Sequence, residues 1–326
     1  MRAIQISQFG TPAEVLKIVE TPEPPAPAGN QVLVQMEYAP INVNDLLLIK
    51  GTFHYNPSLP TPVGNEGVGK VIDIGPEVTA LKKGDRVMLP VYAMTWRERM
   101  LVPADDLIKQ PPEADVQQLA MLRINPPAAA LMLSEFVDLQ PGDWIVQNAA
   151  NSGVGRAVIA FAKARGYRII SLVRRADVID EIKSLGSEIV LLDDDNAPAA
   201  VKNAIGDKKL LLGMDGVGGT APSRIAEMLS AGGYLLGYAF PQGYALPGDL
   251  RPIMEKELHL HSFYQVQPEY EAKIPAILAE ASEMIAAGKL YAPVAATYPI
   301  SEIVAAVAHA EAGGKVLLKL DTKSAS

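Results

Sequence analysis

Residues 144–175 hold the residue types and spacing with the clearest chemistry. Trp144-Ile145-Val146-Gln147 reads as a buried strand and runs into Asn148-Ala149-Ala150-Asn151-Ser152-Gly153-Val154-Gly155. That turn opens a helix over 154–164, and a second strand follows over 168–173. Small residues at such a turn let the backbone approach a pyrophosphate closely. Free N–H groups at the helix start then bind the phosphate oxygens, aided by the helix dipole. Asn151, Ser152, Gly153, Val154 and Gly155 are therefore the candidate phosphate-binding residues. The bare pattern is degenerate: Ala150 and Ser152 stand where the usual fingerprint has its first two glycines, and Gly155 holds the third. A plain strand-to-helix turn would look similar, and the strand–helix–strand context weighs for a dinucleotide site.

The end of the second strand selects the cofactor. An NAD site usually has Asp or Glu there, on the ribose hydroxyls. This sequence has Arg174 and Arg175. A guanidinium binds a 2′-phosphate bidentately where an acid would repel it, so the expected cofactor is NADPH. For Arg175, solvation of a helix start is an equally good reading.

The elements around this turn divide the chain. Residues 31–37 alternate apolar and polar as a half-buried strand does, and 68–74 and 86–89 are further short apolar runs. Gly64, Gly75, Gly84-Asp85 and Pro90 punctuate them, which suggests a small β-barrel. From about Pro112 the texture changes. Helices are expected over 116–121, 128–137, 176–185 and 274–287, and strands over 188–192, 210–214, 233–237 and 315–320. Strands alternating with helices through short connections give a parallel sheet. The expected domains are 1–122 with 268–326, and 123–267.

Composition limits the function. A net charge of -8 disfavours nucleic acid and anionic membrane as partners. There are no cysteines, which removes disulfides, a catalytic thiol and thiolate-bound zinc. The start, Met1-Arg2-Ala3-Ile4-Gln5-Ile6, is strand-like and unlike a signal peptide, and no apolar run approaches the roughly 20 residues of a membrane span. A cytoplasmic location is expected on these grounds.

Several stretches together resemble the medium-chain dehydrogenase/reductase superfamily, and within it the zinc-free 2-enoyl thioester reductases, with quinone oxidoreductases next. They are Ala39-Pro40-Ile41-Asn42-Val43-Asn44-Asp45, Gly64-Asn65-Glu66-Gly67-Val68-Gly69, Thr95-Trp96-Arg97, Ile124-Asn125-Pro126, the turn 147–155 and Val173-Arg174. The resemblance implies an α/β fold: a GroES-like β-barrel catalytic domain plus a doubly wound parallel-sheet Rossmann domain. Zinc-dependent relatives need Cys at the position of Asn42 and His at that of Asn65, and neither amide is a good zinc ligand. His259 and His261 alternate along a strand and read as two polar residues on one face, so no metal is expected.

The reaction implied moves a hydride from the nicotinamide to the β-carbon of an electron-poor double bond. A donor then stabilises the enolate oxygen and an acid protonates the α-carbon. By the resemblance the acid is a tyrosine at position 53, which here is Phe53. Tyr55 lies two residues on, and its phenol is a candidate donor or an ordinary pocket wall. Asn42 is placed on the nicotinamide ribose or the substrate oxygen. Tyr238, Phe263, Tyr264 and Lys315 complete the implied cofactor-binding set, with Tyr264 shaping the substrate pocket. The loss at 53 keeps two alternatives open: an NADPH:quinone oxidoreductase, and an NADPH-binding sensor or structural protein without turnover. The resemblance also implies a homodimer, for which 257–265 is a plausible edge strand, and a small-molecule substrate (enoyl thioester, enone or quinone).

Overall fold

A computed structural model describes the whole chain except His54, Gln242, residues 244–248 and residues 322–326. The chain divides into two compact units, Met1–Ile124 with Glu280–Ser326, and Asn125–Ala279. Residues 268–279, placed above with the catalytic domain, group here with the second unit. Their packing explains this: Tyr270 sits 6.0 Å from Phe263, ring to ring, and Lys273 pairs with Glu135.

The first unit is built on a seven-stranded sheet. Its central strand, Gln31–Ile41, pairs antiparallel with both Val68–Ile74 and Arg99–Pro103. The alternation seen in the sequence is borne out: Val32, Val34 and Met36 are fully buried. Each contributes about 1.5–3 kcal/mol through burial. They pack with Ile4, Ile6, Trp96, Val316 and Leu318 in one core. The C-terminal strand Lys315–Lys319 lies antiparallel on Gln31–Ile41, with Val316 opposite Ile41. That register sets the residue before Val316 beside the residue after Ile41.

Several elements of this unit were not anticipated. The helix Val43–Lys50 follows directly on the central strand and buries Leu46, Leu48 and Ile49. The strand Val294–Pro299 pairs parallel with Lys315–Lys319. A leucine run and a short half-exposed strand carry little periodicity, so neither announces its type.

The second unit is a six-stranded parallel sheet. Across it the strands run Ile189–Leu192, Arg168–Val173, Trp144–Gln147, Leu210–Asp215, Tyr234–Gly237 and His259–Ser262. In chain order this is third, second, first, fourth, fifth and sixth, the doubly wound Rossmann order. The order reverses between Trp144–Gln147 and Leu210–Asp215, and ligands bind such sheets at the strand ends of that switch point. The helix expected over 128–137 instead spans Asn125–Met132. Pro126 and Pro127 open it, as proline does in a first helical turn, where no intrahelical N–H bond is lost.

Candidate active site

In the first unit a buried polar cluster forms around Asn42. Its Nδ2 donates to Glu66 Oε1 at 2.7 Å, and its Oδ1 accepts from Lys315 Nζ at 2.5 Å. The amide is thus held in one orientation, with its second N–H left over for a ligand. The second carboxylate oxygen of Glu66 accepts the backbone N–H groups of Arg123 and Ile124 at 3.0 and 3.1 Å. Asp45 accepts from the backbone N–H of Asn42 at 2.7 Å and of Asn65 at 2.8 Å, which ties the helix start to the 64–67 segment.

The electrostatics follow from enclosure. Burial pushes the Asp45 carboxyl up to about 7, against the two backbone N–H groups that favour its charge, and Glu66 adds like-charge repulsion. Burial also raises Glu66, with Lys315 and Asn42 pulling the other way. Burial lowers the Lys315 ammonium, opposed by Glu66 and Asp45. One cation and two acids therefore share a desolvated site, and each one's charge depends on the others. Asn65 is fully buried, and both polar atoms of its amide lack a hydrogen bond. An amide in that state costs free energy unless a ligand completes it.

In the second unit the strand Trp144–Gln147 delivers the turn to the helix Gly153–Ala164. Ser152 caps it: its Oγ accepts the Gly155 N–H at 3.1 Å, while Gly153 and Val154 keep first-turn donors for an anion. Gly155 is required by space. A Cβ there would stand 2.6 Å from the Ala149 carbonyl oxygen and 2.7 Å from Ala150 Cα. Asn151 is exposed at the lip of the turn, and Ser152, Gly153 and Val154 are half-buried. Ala149 turns the chain with φ of 47°.

Beside this turn, Asn148 Nδ2 donates to Asp215 Oδ1 at 2.5 Å, and Asn148 Oδ1 accepts the Gly216 N–H at 2.7 Å. Asp215 also accepts the Gly218 N–H at 2.9 Å, and burial raises its carboxyl. This pair locks the ends of the first and fourth strands together. The sequence reading missed Asp215 and Glu66, because a buried acid shows its role only through partners far along the chain. Glu66 did stand inside a quoted motif.

The arginines differ. Arg174 is exposed at the end of its strand and has no ion pair among the described residues, whereas Arg175 sits 3.4 Å from Asp177. Tyr238 has its hydroxyl buried beside Ser152, and burial pushes its phenol up, with Ser152 pulling the other way. It lies against Gly216, where a Cβ would come within 2.3 Å of the hydroxyl. Phe263 is buried in an aromatic group with Phe136 and Tyr270, which makes it a wall, and Tyr264 beside it is half-buried. Tyr55 is 46% exposed, and Phe53 packs on the first unit's core. Both rings approach Tyr92, at 6.3 and 6.1 Å. The geometry thus joins Asn42 to Lys315 in one unit and the phosphate turn to Tyr238 and Arg174 in the other.

Two family models match: the alcohol dehydrogenase GroES-like domain over residues 28–112, and the zinc-binding dehydrogenase over residues 153–282. The human mitochondrial enoyl-[acyl-carrier-protein] reductase is 34% identical over 317 residues, covering 94% of this chain and 84% of that protein. The chain belongs to the medium-chain dehydrogenase/reductase superfamily, among its enoyl reductase-like oxidoreductases. Among solved structures, an enoyl thioester reductase in complex with NADP and crotonyl-CoA superposes with a TM-score of 0.88 at 25% identity, covering 98% of this chain and 99% of that one. The Escherichia coli quinone oxidoreductase complexed with NADPH superposes with a TM-score of 0.87 at 25% identity, covering 98% and 100%.

The zinc in the second family model's description has no ligand set to fit here. Asn42 and Asn65 occupy the ligand positions, the sequence has no cysteine, and no group of three His, Asp or Glu among the described residues is placed to hold a metal. The nicotinamide cofactor does fit. The Cβ-free cradle at Gly155, the first-turn donors, the buried Tyr238 hydroxyl beside Ser152 and the exposed Arg174 form a coherent donor set.

Proposed function

We propose that this protein reduces the activated carbon–carbon double bond of an α,β-unsaturated thioester with NADPH. The observation that carries the reading is Arg174, an exposed guanidinium without an ion pair among the described residues, at the strand end that follows the Ser152–Gly155 cradle. NADPH, when bound, supplies the hydride that reduces the β-carbon.

The chain's own residues bind and polarise. Gly153 and Val154 N–H groups take the pyrophosphate, and Arg174 takes the 2′-phosphate. Tyr238 places its buried hydroxyl beside Ser152 of the turn. In the first unit, taken by itself, Asn42 offers its second N–H to the thioester oxygen on which charge develops. Glu66 and Lys315 prevent the amide from flipping. A donor fixed in advance stabilises such charge far better than one that must reorganise. The human relative named for an enoyl substrate and the enoyl thioester reductase structure with crotonyl-CoA support the thioester as substrate class.

Quinone reduction is the second reading, favoured by Phe53: quinol oxygens can take protons from water, so a placed carbon acid is dispensable. We also propose self-association through the strand His259–Ser262, whose residues are all exposed and which is the edge of its sheet among the described residues, with Leu260 47% exposed.

Steady-state NADPH oxidation with crotonyl-CoA, a benzoquinone and a simple enone tests the reading. Turnover is expected to be fastest with crotonyl-CoA. Fastest turnover with the quinone would establish the second reading, and no turnover with any substrate would favour a binding protein.

A further inference from the structure

The proposed reaction needs a proton at the α-carbon, and position 53 has no hydroxyl to give. The fold brings another phenol to the same place. Tyr92 lies on the segment 89–96, which is laced to 63–67 at both ends. Leu89 N–H donates to the Gly67 carbonyl at 3.0 Å, and the Thr95 and Trp96 N–H groups donate to the Gly64 and Val63 carbonyls, each at 2.9 Å. Between these, the Tyr92 N–H donates to the Asn65 carbonyl at 2.9 Å, and Thr95 Oγ1 donates to the Glu66 carbonyl at 2.6 Å. The segment is therefore anchored on the residue whose carboxylate holds Asn42.

The backbone at Tyr92 is costly for its residue type. Its φ is 60°, and that of Met94 is 58°, both in the left-handed region that side chains other than Gly, Asn and Asp rarely adopt. Neither position has the glycine that would relieve it. Such outliers persist where the surroundings hold them, and they concentrate at working sites. Here the Tyr92 ring lies near those of Phe53 and Tyr55, at 6.1 and 6.3 Å. Tyr92 is half-buried, whereas Tyr55 is 46% exposed.

We infer that Tyr92 is the catalytic acid: its phenol gives the α-carbon the proton that the residue at 53 cannot. This rests on the proposed thioester reduction. The balance closes. Two electrons arrive with the hydride at the β-carbon, the double bond becomes single, the Tyr92 O–H bond breaks as the α C–H bond forms, and water reprotonates the phenolate. Phe53 then serves as an apolar neighbour of the ring that replaces its missing hydroxyl.

The experiment compares Tyr92→Phe with Tyr55→Phe, using crotonyl-CoA and NADPH. Tyr92→Phe keeps the ring and its packing, so the expected result is a kcat lower by about 10²–10⁴-fold with KM within about threefold, the usual range for loss of a general acid. The loss in Tyr92→Phe should exceed that in Tyr55→Phe by at least about tenfold. A second readout needs no turnover. In protein labelled with 3-fluorotyrosine, the resonance absent from Tyr92→Phe should shift when crotonyl-CoA is added with NADP⁺. A kcat for Tyr92→Phe within about threefold of wild type, or a larger loss in Tyr55→Phe, overturns the assignment of Tyr92 while leaving the reductase reading intact. An unmoved Tyr92 resonance under saturating crotonyl-CoA does the same. No turnover by the unmutated protein overturns both.

Discussion

Lys315 Nζ stands 2.5 Å from Asn42 Oδ1 because their chain neighbours, Val316 and Ile41, are register partners in one antiparallel ladder. Residues at opposite ends of the sequence therefore meet with the accuracy of a sheet. The pairing matters because Glu66 takes the other end of the same amide. The cation, the amide and the acid form one connected unit, and the loss of any member leaves a buried partner unpaired.

Replacing Lys315 with Met keeps the stem volume and removes the charge. Glu66 and Asp45 then share a desolvated site without a cation. Breaking a buried pair from one side costs about 3–5 kcal/mol. Urea denaturation at pH 8 should show a loss of that order. At pH 5 the loss should be smaller, because the acids can take up protons. A loss equal at both pH values contradicts the linkage.

Asp45 gives a pH prediction with a definite sign. Its native carboxyl is pushed up to about 7, while an unfolded Asp titrates near its ordinary value, about 3.9. Between these values the native state binds more protons than the unfolded state. The stability contributed by this group is therefore fully present below about pH 4 and is lost as pH rises toward 7. Asp45→Asn lowers stability overall, since one of two carboxylate acceptors is replaced by an amide nitrogen. Its unfolding free energy should nevertheless rise more, or fall less, than that of wild type from pH 4 to 7. Parallel curves would show that Asp45 is ionised throughout.

Arg174→Ala should weaken NADPH binding by about 10–100-fold, as expected when one charge-assisted, bidentate phosphate contact is lost. NADH has no 2′-phosphate, so its affinity should change by less than about threefold. Isothermal titration with both coenzymes measures the two effects. Equal weakening would remove the phosphate role from Arg174. The same change at Arg175, already paired with Asp177, should cost less.

Gly155→Ala places a Cβ against the Ala149 and Ala150 backbone, where no flexible side-chain end can yield. The turn must open, and the donors at the helix start lose their aim. NADPH affinity should fall at least about tenfold, with a lower thermal midpoint. Ser152→Ala is milder: it removes the cap on the Gly155 N–H and should cost about 0.5–2 kcal/mol of stability. Unchanged affinity in Gly155→Ala would show that the turn is not the phosphate site.

Much of the cofactor unit was legible in the sequence. Every strand from Trp144–Gln147 to Tyr234–Gly237 is announced by a short apolar run, and parallel strands buried on both faces must read that way. The barrel unit was less legible. Its central strand alternates clearly, but Val43–Lys50 is a leucine-rich stretch whose first turn is tied down by Asp45, which accepts the backbone N–H groups of Asn42 and Asn65. The site divides in the same way. Ser152, Gly155 and Arg174 act within 30 residues of one another and could be read in line. Glu66 and Asp215 act through partners fixed by tertiary register. Tyr92 escaped notice because its signal is a backbone angle, which no residue type in that segment announces.

The central claim is that this chain reduces a conjugated thioester with NADPH. Product analysis of crotonyl-CoA incubated with the purified protein and NADPH tests it most directly. The account predicts butyryl-CoA formed in equal amount to the NADPH consumed, with NADH far less effective at equal concentration. Recovery of unreacted crotonyl-CoA, with the coenzyme still reduced, would contradict it.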